Sequence, residues 1–334
     1  MQRAGIGSLR IAGVLAVVLA LAPVSSRAGT PADAGAAPVT LTVFAAGTLA
    51  AAFTALDRAF EASHPNVTVQ PQFGGSVKMV KHVTELHEIA DVVATADANV
   101  IPKYMYAKPK SGAAGYADWY IGFATNEMTF VYTPSSKYAG EIGAGNWYQV
   151  LARPGVAIGR SNPDTDPSGY QTLLMLELAE RYYHRPGLAR SVLANAPAGN
   201  VRDTETELLP ALQSGQIDYL AIYRSEALRL HLDYLRLPPQ VALGDARYAS
   251  FYRGSSVTTA NGAINGKPIV YAVTIPSNAA HAEAARAYIA MLLSPAGRRI
   301  LEKAGFTPAA PGLARGMSNV PSRLRPLVRS WPSS

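Results

Sequence analysis

Apolar and polar positions along the chain alternate between short apolar runs and longer amphipathic stretches. Three apolar runs near the beginning, VTLTVFAAG, VTVQPQFGG and ADVVATAD, are typical of strands. The stretches between them, TLAAAFTALDRAFEASHP and SVKMVKHVTELH, have the spacing of amphipathic helices. Strands that alternate with helices in this way predict a parallel sheet covered by helices.

The same alternation continues through the rest of the chain. Further strands are predicted in the segments YIGFATNEMTFVYT, GVAIGRS, YLAIYRS and KPIVYAVTIPS. Further helices are predicted from the turn SNPDTDPSGYQT to about Tyr183, over ETELLPALQSGQID, and over AAHAEAARAYIAMLLSPAGRRILEKAGF with a Ser-Pro break. The 334 residues therefore predict an α/β protein that is large enough for two domains.

The first residues have the pattern of an export signal. Basic residues precede the apolar run IAGVLAVVLALA, which is too short to span a bilayer and is followed by a small-residue cleavage pattern. We expect a signal peptide over residues 1–28, cleaved near Ala28, and a flexible leader over 29–37. The chain has no cysteine, which excludes disulfides and a lipid anchor. The expected location is the periplasm.

Charge and motif content exclude several classes of function. The net charge is +7 and falls to +4 once the three arginines of the signal peptide are removed. Basic residues are scattered, so no nucleic-acid partner is expected. The six histidines lack the spacing of metal ligands, and the sequence has neither a Gly-x-Ser-x-Gly elbow nor a Walker loop. A hydrolase that uses a serine at a helix start is a weak alternative, because no base is recognisable beside such a serine.

Three apolar strands end in small polar turns that open a helix, namely AAGTL, GGSV and DPSGY. Ligands of open α/β sheets bind beyond the carboxyl ends of the strands, where helix N-termini present unpaired N–H groups to an anion. Thr48, Ser76 and Ser168 would each add a hydroxyl there. The alternative is that all three are ordinary N-cap residues. Asp164 and Asp166 stand in the third turn, where a carboxylate either caps the turn or faces the ligand.

A larger set of segments carries a resemblance to a known family. In chain order these segments are FAAGTLAAAFTALDRAFE, FGGSVKMVKHVTELHEIADVVATAD, FATNEMTFVYT, IGRSNPDTDPSGYQTLLML, LLPALQSGQIDYLAIYRSEALRLHLDYLRLPPQVALGD and KPIVYAVTIPSNAAHAEAARAYIAMLLSPAGRRILEKAGF. With them the chain resembles the periplasmic molybdate- and tungstate-binding proteins, which are the solute-binding components of ABC importers, and especially their tungstate-type branch. The resemblance covers about residues 39–306.

The resemblance implies an α/β fold of two lobes, the type II periplasmic binding protein fold. Each lobe would hold a mixed, mostly parallel sheet flanked by helices, and the ligand would bind in the cleft between the lobes. Lobe one would comprise residues 38–122 and 268–315, lobe two residues 123–267, and residues 316–334 would form a C-terminal tail. FATNEMTFVYT would carry the chain into lobe two, and KPIVYAVTIP would return it to lobe one.

The resemblance also implies which residues bind the ligand. Hydroxyls of Thr48, Ser76, Ser168 and Tyr223 would donate to the oxyanion, and the helix start at Thr204 and Glu205 would supply backbone N–H groups. Asp166 would coordinate the metal centre of the oxyanion, which is otherwise a repulsive place for a carboxylate. The plain alternatives are N-caps for the hydroxyls, packing for the tyrosine and turn capping for the aspartate.

The sequence departs from the family pattern at one position. We place the family's second coordinating carboxylate where this chain has Ile222, and an isoleucine cannot coordinate. Glu205, Glu207 and Glu226 are the nearby acidic residues. Either a carboxylate from elsewhere replaces it, or the oxyanion is bound by hydrogen bonds alone.

The sequence therefore predicts a binding protein and not an enzyme. It would capture molybdate or tungstate without a cofactor and deliver it, as a monomer, to an ABC permease at the inner membrane. The alternatives are the same fold bound to sulfate, phosphate, an iron complex or a small organic acid, or a ligand-sensing receptor.

Overall fold

The computed structural model describes residues 37–106 and 115–331. The predicted signal peptide and all but the last residue of the predicted leader lie outside this part of the chain. Within it, the strands are β1 Val39–Ala46, β2 Val67–Gly74, β3 Val92–Thr95, β4 Tyr120–Thr125, β5 Met128–Tyr132, β6 Ile158–Ser161, β7 Val201–Arg202, β8 Tyr219–Tyr223, β9 Asp233–Tyr234, β10 Ser256–Thr259, β11 Gly262–Asn265, β12 Val270–Thr274, β13 Thr307–Arg315 and β14 Val328–Ser330.

Helices cover the strands as the alternating pattern predicts. The α-helices of the described residues are α1 Ala50–Ser63, α2 Ser76–Thr84, α3 Val100–Met105, α4 Trp147–Leu151, α5 Pro167–Tyr182, α6 Leu188–Leu193, α7 Leu209–Gln213, α8 Arg224–Arg229, α9 Pro239–Ala242, α10 Ala249–Tyr252, α11 Ala282–Leu293 and α12 Pro295–Lys303. Short 3-10 helices occur at Gly47–Leu49, Ala198–Asn200, Glu205–Leu208, Ala246–Tyr248 and Arg325–Leu327.

Two sheets organise the described residues. The larger one has seven strands in the order β14-β13-β4-β12-β3-β1-β2, and the smaller one has five in the order β7-β6-β8-β5-β9. Strands β10 and β11 form a separate hairpin. In both the seven-stranded and the five-stranded sheet, half of the strand pairs among the described residues are parallel and half are antiparallel. The predicted α/β class with mixed sheets flanked by helices is confirmed.

The chain crosses between the two sheets inside the segment YIGFATNEMTFVYT, for which the sequence pattern predicts a single strand. β4 pairs with β12 and β13 in the larger sheet, whereas β5 pairs with β8 and β9 in the smaller one. Asn126 and Glu127 separate β4 from β5, so the crossing lies a few residues beyond the predicted boundary at residue 122. The chain returns through β12.

The predicted C-terminal tail contributes to the larger sheet. β14 pairs in parallel with β13, and the Trp331 ring packs edge-on against Tyr120 of β4. Sequence periodicity does not predict β13 or β14, because β13 contains two prolines, Pro308 and Pro311. Pairing with β4, which lies far away in the sequence, makes β13 a strand.

The core explains where the helices lie. α1 follows the small residues that end β1 and buries Ala52, Phe53, Leu56 and Phe60 against the larger sheet. Amphipathic spacing of this kind places apolar side chains on one face of a helix. No helix among residues 37–106 and 115–331 is long and apolar enough to cross a membrane.

One buried carboxylate of α1 gives a pH-dependent prediction. Asp57 accepts a hydrogen bond of 2.6 Å from the Tyr288 hydroxyl, and its other oxygen is buried without a partner in the described residues. Burial raises the pKa of Asp57 to about 6, although the hydrogen bond from Tyr288 opposes the shift. Because the folded-state pKa exceeds that of the unfolded chain, this carboxyl makes stability fall as the pH rises from about 4 to about 6.

We therefore expect Asp57→Asn to raise the melting temperature by a few degrees at about pH 8 and to leave it nearly unchanged at about pH 4. A neutral amide can still accept from Tyr288 without the cost of a buried charge. Thermal unfolding at both pH values measures the difference, with the exposed Asp118→Asn as control. Equal shifts at the two pH values would contradict the raised pKa.

Candidate functional site

The six residues that the sequence singles out all lie at strand ends or helix starts. Thr48 lies in the 3-10 turn after β1, Ser76 opens α2, and Ser168 lies in the first turn of α5 behind Asp166. Glu205 opens the 3-10 helix Glu205–Leu208, and Tyr223 ends β8. Each of the six is at most 4% exposed. They are buried because the turns that carry them pack against the core.

Ser168 joins two acidic side chains that lie far apart in the sequence. Its Oγ lies 2.9 Å from Asp166 Oδ2 and 2.9 Å from Glu205 Oε2. It also lies 2.5 Å from the Oγ of Ser161, the last residue of β6. A single buried hydroxyl thus holds two carboxyl groups together, and the other oxygen of Glu205, Oε1, has no partner among the described residues.

Counting hydrogens shows that the carboxyl pair carries a proton in this geometry. The Ser168 hydroxyl has one hydrogen and can donate to only one of its three neighbouring oxygens. Ser161 can donate to Ser168, so the remaining carboxyl contact requires a proton on a carboxyl group. Burial raises the pKa of Asp166, and burial together with the charge of Asp166 raises the pKa of Glu205 well above its usual range. Asp166 and Glu205 therefore share a proton.

A second group of hydroxyls lies on the strands that connect the sheets. Thr48 Oγ1 is 3.0 Å from the hydroxyl of Tyr271 on β12, and Asn126 Nδ2 donates to the same hydroxyl at 3.3 Å. The Tyr223 ring packs edge-on against Tyr271, with 5.7 Å between ring centroids. The Tyr223 hydroxyl is buried without a partner in the described residues. It is therefore a donor that the protein itself does not use.

These two groups belong to one region of the molecule. Burial raises the pKa of the Tyr223 and Tyr271 hydroxyls well above their usual range, and the charges of Asp166 and Glu205 raise both further. The electrostatic influence of the carboxyl pair therefore reaches both phenols. The geometry agrees, since a Cβ on Gly47, beside Thr48, would lie 3.8 Å from Cγ2 of Thr204, the residue before Glu205.

Ser76 approaches this region from the other sheet. Its Oγ accepts a hydrogen bond of 2.9 Å from the backbone N–H of Ala96, which leaves its own hydrogen available to donate. The N-cap position of α2 is held by Gly75, so Ser76 is not the capping residue. A Cβ on Gly75 would lie 2.4 Å from the carbonyl oxygen of Thr165 and 3.3 Å from the Cβ of Asp166. The turn before α2 therefore contacts the turn that carries Asp166.

Further contacts cross between the two predicted lobes. The Tyr170 hydroxyl on α5 donates to Asp97 Oδ2 after β3 at 2.8 Å, so this tyrosine does more than pack. Lys78 on α2 lies 3.4 Å from Asp203. The cleft is thus closed in this structure, and the buried groups described above lie between the contacts that close it.

The Ile222 side chain does not face this interior. It is fully buried in an apolar cluster with Val131, Leu208 and Leu220, on the opposite face of β8 from Tyr223. Glu226 binds Arg229 of its own helix. The acidic side chain next to Asp166 is Glu205, one of the three acidic residues named from the sequence as near the position of the missing carboxylate.

Sequence reasoning does not identify Ser161, Tyr271 and Asn126. Ser161 ends GVAIGRS, a strand followed by the DPSGY turn, and that position is a weak signal that could have found it. Tyr271 and Asn126 come together only because the two crossing strands lie side by side at the boundary between the lobes. No group of three His, Cys, Asp or Glu residues among the described residues is arranged to hold a metal ion.

Comparisons with known proteins place the chain among solute-binding proteins. Residues 41–307 match the model of the bacterial extracellular solute-binding protein family. An uncharacterised solute-binding protein of Petrotoga mobilis is 37% identical over 295 residues, which cover 86% of this chain and 90% of that protein. The molybdate/tungstate-binding protein WtpA of Pyrococcus abyssi is 33% identical over 348 residues, covering 96% of this chain and 98% of that protein.

A solved structure supports the fold. The sulfate-binding protein SubI of Mycobacterium tuberculosis superimposes with a TM-score of 0.58 at 18% sequence identity, covering 82% of this chain and 88% of that chain. At this identity the likeness concerns the fold alone. It agrees with the two-sheet architecture described above.

Proposed function

Since the chain belongs to the bacterial extracellular solute-binding proteins, we propose that it captures molybdate or tungstate in its interlobe cleft and delivers the oxyanion to an ABC importer. Members of this family bind solutes and do not transform them, so the chain is not an enzyme. The observation that carries the choice of ligand is the buried pair Asp166 and Glu205, joined through Ser168.

A buried carboxylate repels most anions. A dianion placed beside a buried carboxylate is repelled strongly, because the low dielectric of an interior screens charges little. Molybdate and tungstate differ from sulfate and phosphate in having a metal centre that accepts additional oxygen ligands. In this proposal the carboxyl pair releases its proton to solvent when the anion binds, so that Asp166 and Glu205 ligate the metal centre. The hydroxyls of Thr48, Ser76 and Tyr223 donate to the oxygens of the anion.

The family's second coordinating carboxylate is missing at Ile222. In this proposal Glu205, from another part of the chain, supplies the second coordinating carboxylate. The similarity to the molybdate/tungstate-binding protein of P. abyssi, at 33% identity over nearly the whole chain, supports the same ligand. The acidic pair also supplies specificity, since it penalises an anion that cannot accept carboxylate ligands.

Ferric iron is a second candidate that one observation favours. Two tyrosines, Tyr223 and Tyr271, share the interior with two carboxyl groups, and phenolate and carboxylate oxygens suit a hard trivalent cation. Against it, burial raises the pKa of both phenols and so opposes the phenolate form. Iron binding by these residues would give a visible phenolate-to-iron absorption band, which tungstate binding cannot give.

Export and partners complete the proposal. The signal peptide over residues 1–28 would send the chain to the periplasm, where it would act as a monomer and dock on a membrane permease without a cofactor. No nucleic-acid partner is expected. Radioactive tungstate uptake in cells lacking the protein tests the transport role.

Thermal unfolding of the purified protein with a panel of anions tests the ligand. A ligand that binds only the folded state stabilises it by about 4 kcal/mol at a thousand times its dissociation constant. We expect molybdate or tungstate to raise the melting temperature by roughly 6 °C. Sulfate, phosphate and ferric citrate are the comparison ligands. A shift with one of these and none with molybdate or tungstate would overturn the proposed ligand.

A further inference from the structure

Two cavities are lined by sequence neighbours of the site residues and differ in charge. One, which we call the basic cavity, has a volume of about 430 Å³ and is lined by Asp97, Lys103, Tyr170, Arg253 and Lys267 among others. The other, which we call the mixed cavity, has a volume of about 360 Å³ and is lined by Lys78, Asp203, Glu207, Glu226 and Arg229 among others. The two cavities have no lining residue in common.

The basic cavity carries an excess of positive charge. Lys267 Nζ lies 2.8 Å from Asp97 Oδ1, so these two charges cancel. Lys103 and Arg253 form no ion pair within 4 Å among the described residues, although Asp97 also attracts Lys103, so three cations face this cavity with one carboxylate. Two uncompensated cations therefore face this cavity.

The mixed cavity has no such excess. Lys78 lies 3.4 Å from Asp203, and Arg229 is paired with Glu226. Glu207 then remains, and it accepts a hydrogen bond of 2.9 Å from the Thr204 hydroxyl. The charged groups that line this cavity sum to a small negative charge.

Tyr170 connects the basic cavity to the helix that follows Asp166. Tyr170 lies in α5 four residues after Asp166, lines the cavity, and donates across the cleft to Asp97 at 2.8 Å. Val77, which follows Ser76, lines the same cavity. The hydrogen bond between Tyr170 and Asp97 therefore joins the two lobes at the wall of the basic cavity.

We propose that the basic cavity is the entrance of the cleft, where Lys103 and Arg253 draw a small dianion towards the site before the lobes close. A cleft with walls of one charge sign concentrates the field and raises the association rate of an oppositely charged ligand. This entrance is distinct from the carboxyl pair, which holds the bound anion. The inference rests on the proposed function, because it assumes an anionic ligand.

Association kinetics of tungstate, followed by stopped-flow protein fluorescence, test the entrance. The variant Lys103→Gln/Arg253→Gln removes both uncompensated cations. The control Arg299→Gln/Lys303→Gln removes the same charge from the exposed surface of α12, away from both cavities. Each protein is measured at about 20 mM and about 500 mM salt, because salt screens attraction over distance.

The entrance variant is expected to associate about tenfold more slowly than wild type at low salt, with an unchanged dissociation rate. The difference should shrink towards unity at high salt, and the control should stay within about twofold of wild type. Equal slowing in both variants would overturn the proposal, because net charge alone would then explain it. A faster dissociation with unchanged association would also overturn it, because the two cations would then hold the bound anion.

Equilibrium titration of wild type separates this inference from the proposed function. If wild type binds sulfate or phosphate but not tungstate, the proposed ligand is wrong, and the same rate comparison with that anion decides the entrance. If wild type binds none of these anions, both proposals are wrong.

Discussion

Asp166→Asn and Glu205→Gln are each expected to weaken tungstate binding by about 100-fold, which corresponds to about 2.7 kcal/mol. Both substitutions keep the shape of the side chain, and an amide can still take part in hydrogen bonds with Ser168. Neither amide replaces a carboxylate as a ligand of an electrophilic metal centre. Isothermal titration with tungstate measures the loss.

Folding and binding are separable in these variants. Because both carboxyls are buried and their pKa values are raised, each neutral variant should melt at the same temperature as wild type or higher at about pH 8 without ligand. Glu207→Gln, on the exposed side of the same 3-10 helix, is the matched control and should bind as wild type does.

The selectivity of the same variants gives the sharper test. With the carboxylates removed, repulsion of sulfate falls, so sulfate affinity should rise while tungstate affinity drops. Unchanged tungstate affinity in both variants would show that hydroxyl and backbone donors bind the anion alone. The carboxyl pair would then be structural.

Gly75→Ala is expected to block closure of the cleft and to lower tungstate affinity by about 100-fold or more. The added Cβ would lie 2.4 Å from the Thr165 carbonyl oxygen, a backbone atom on the far side of the cleft. Gly75 has φ −58° and ψ 133°, which any residue adopts, so the strain arises only when the lobes meet. Folding should therefore be unaffected.

Small-angle scattering measures closure directly. Wild type should become more compact on addition of tungstate, and Gly75→Ala should not. Gly145→Ala is the control, because nothing lies within 4 Å of its added Cβ. A Gly75→Ala protein that compacts and binds as wild type does would show that this contact does not limit closure.

Local sequence pattern predicts the elements well where strand and helix follow each other directly. β1, α1, β2, α2 and β3 lie where apolar runs and amphipathic stretches predict them. The pattern predicts one strand for YIGFATNEMTFVYT, because both halves of this segment are apolar. The structure divides it into two strands at Asn126 and Glu127, since each half pairs with strands of a different sheet. It also misses β13, a proline-containing strand that depends on β4.

The sequence by itself determined the fold class, the strand-end turns and the closeness of Asp166 to Ser168, which are two residues apart. Only the tertiary structure decided the partner of Asp166. Ser168 meets Glu205 across 37 positions of the chain, which no local pattern encodes. Side chains of a strand alternate between its two faces, so β8 turns Tyr223 towards Tyr271 and Ile222 into an apolar cluster. The second carboxyl group of the site therefore comes from a different segment, because burial and strand alternation fix which side chains can meet.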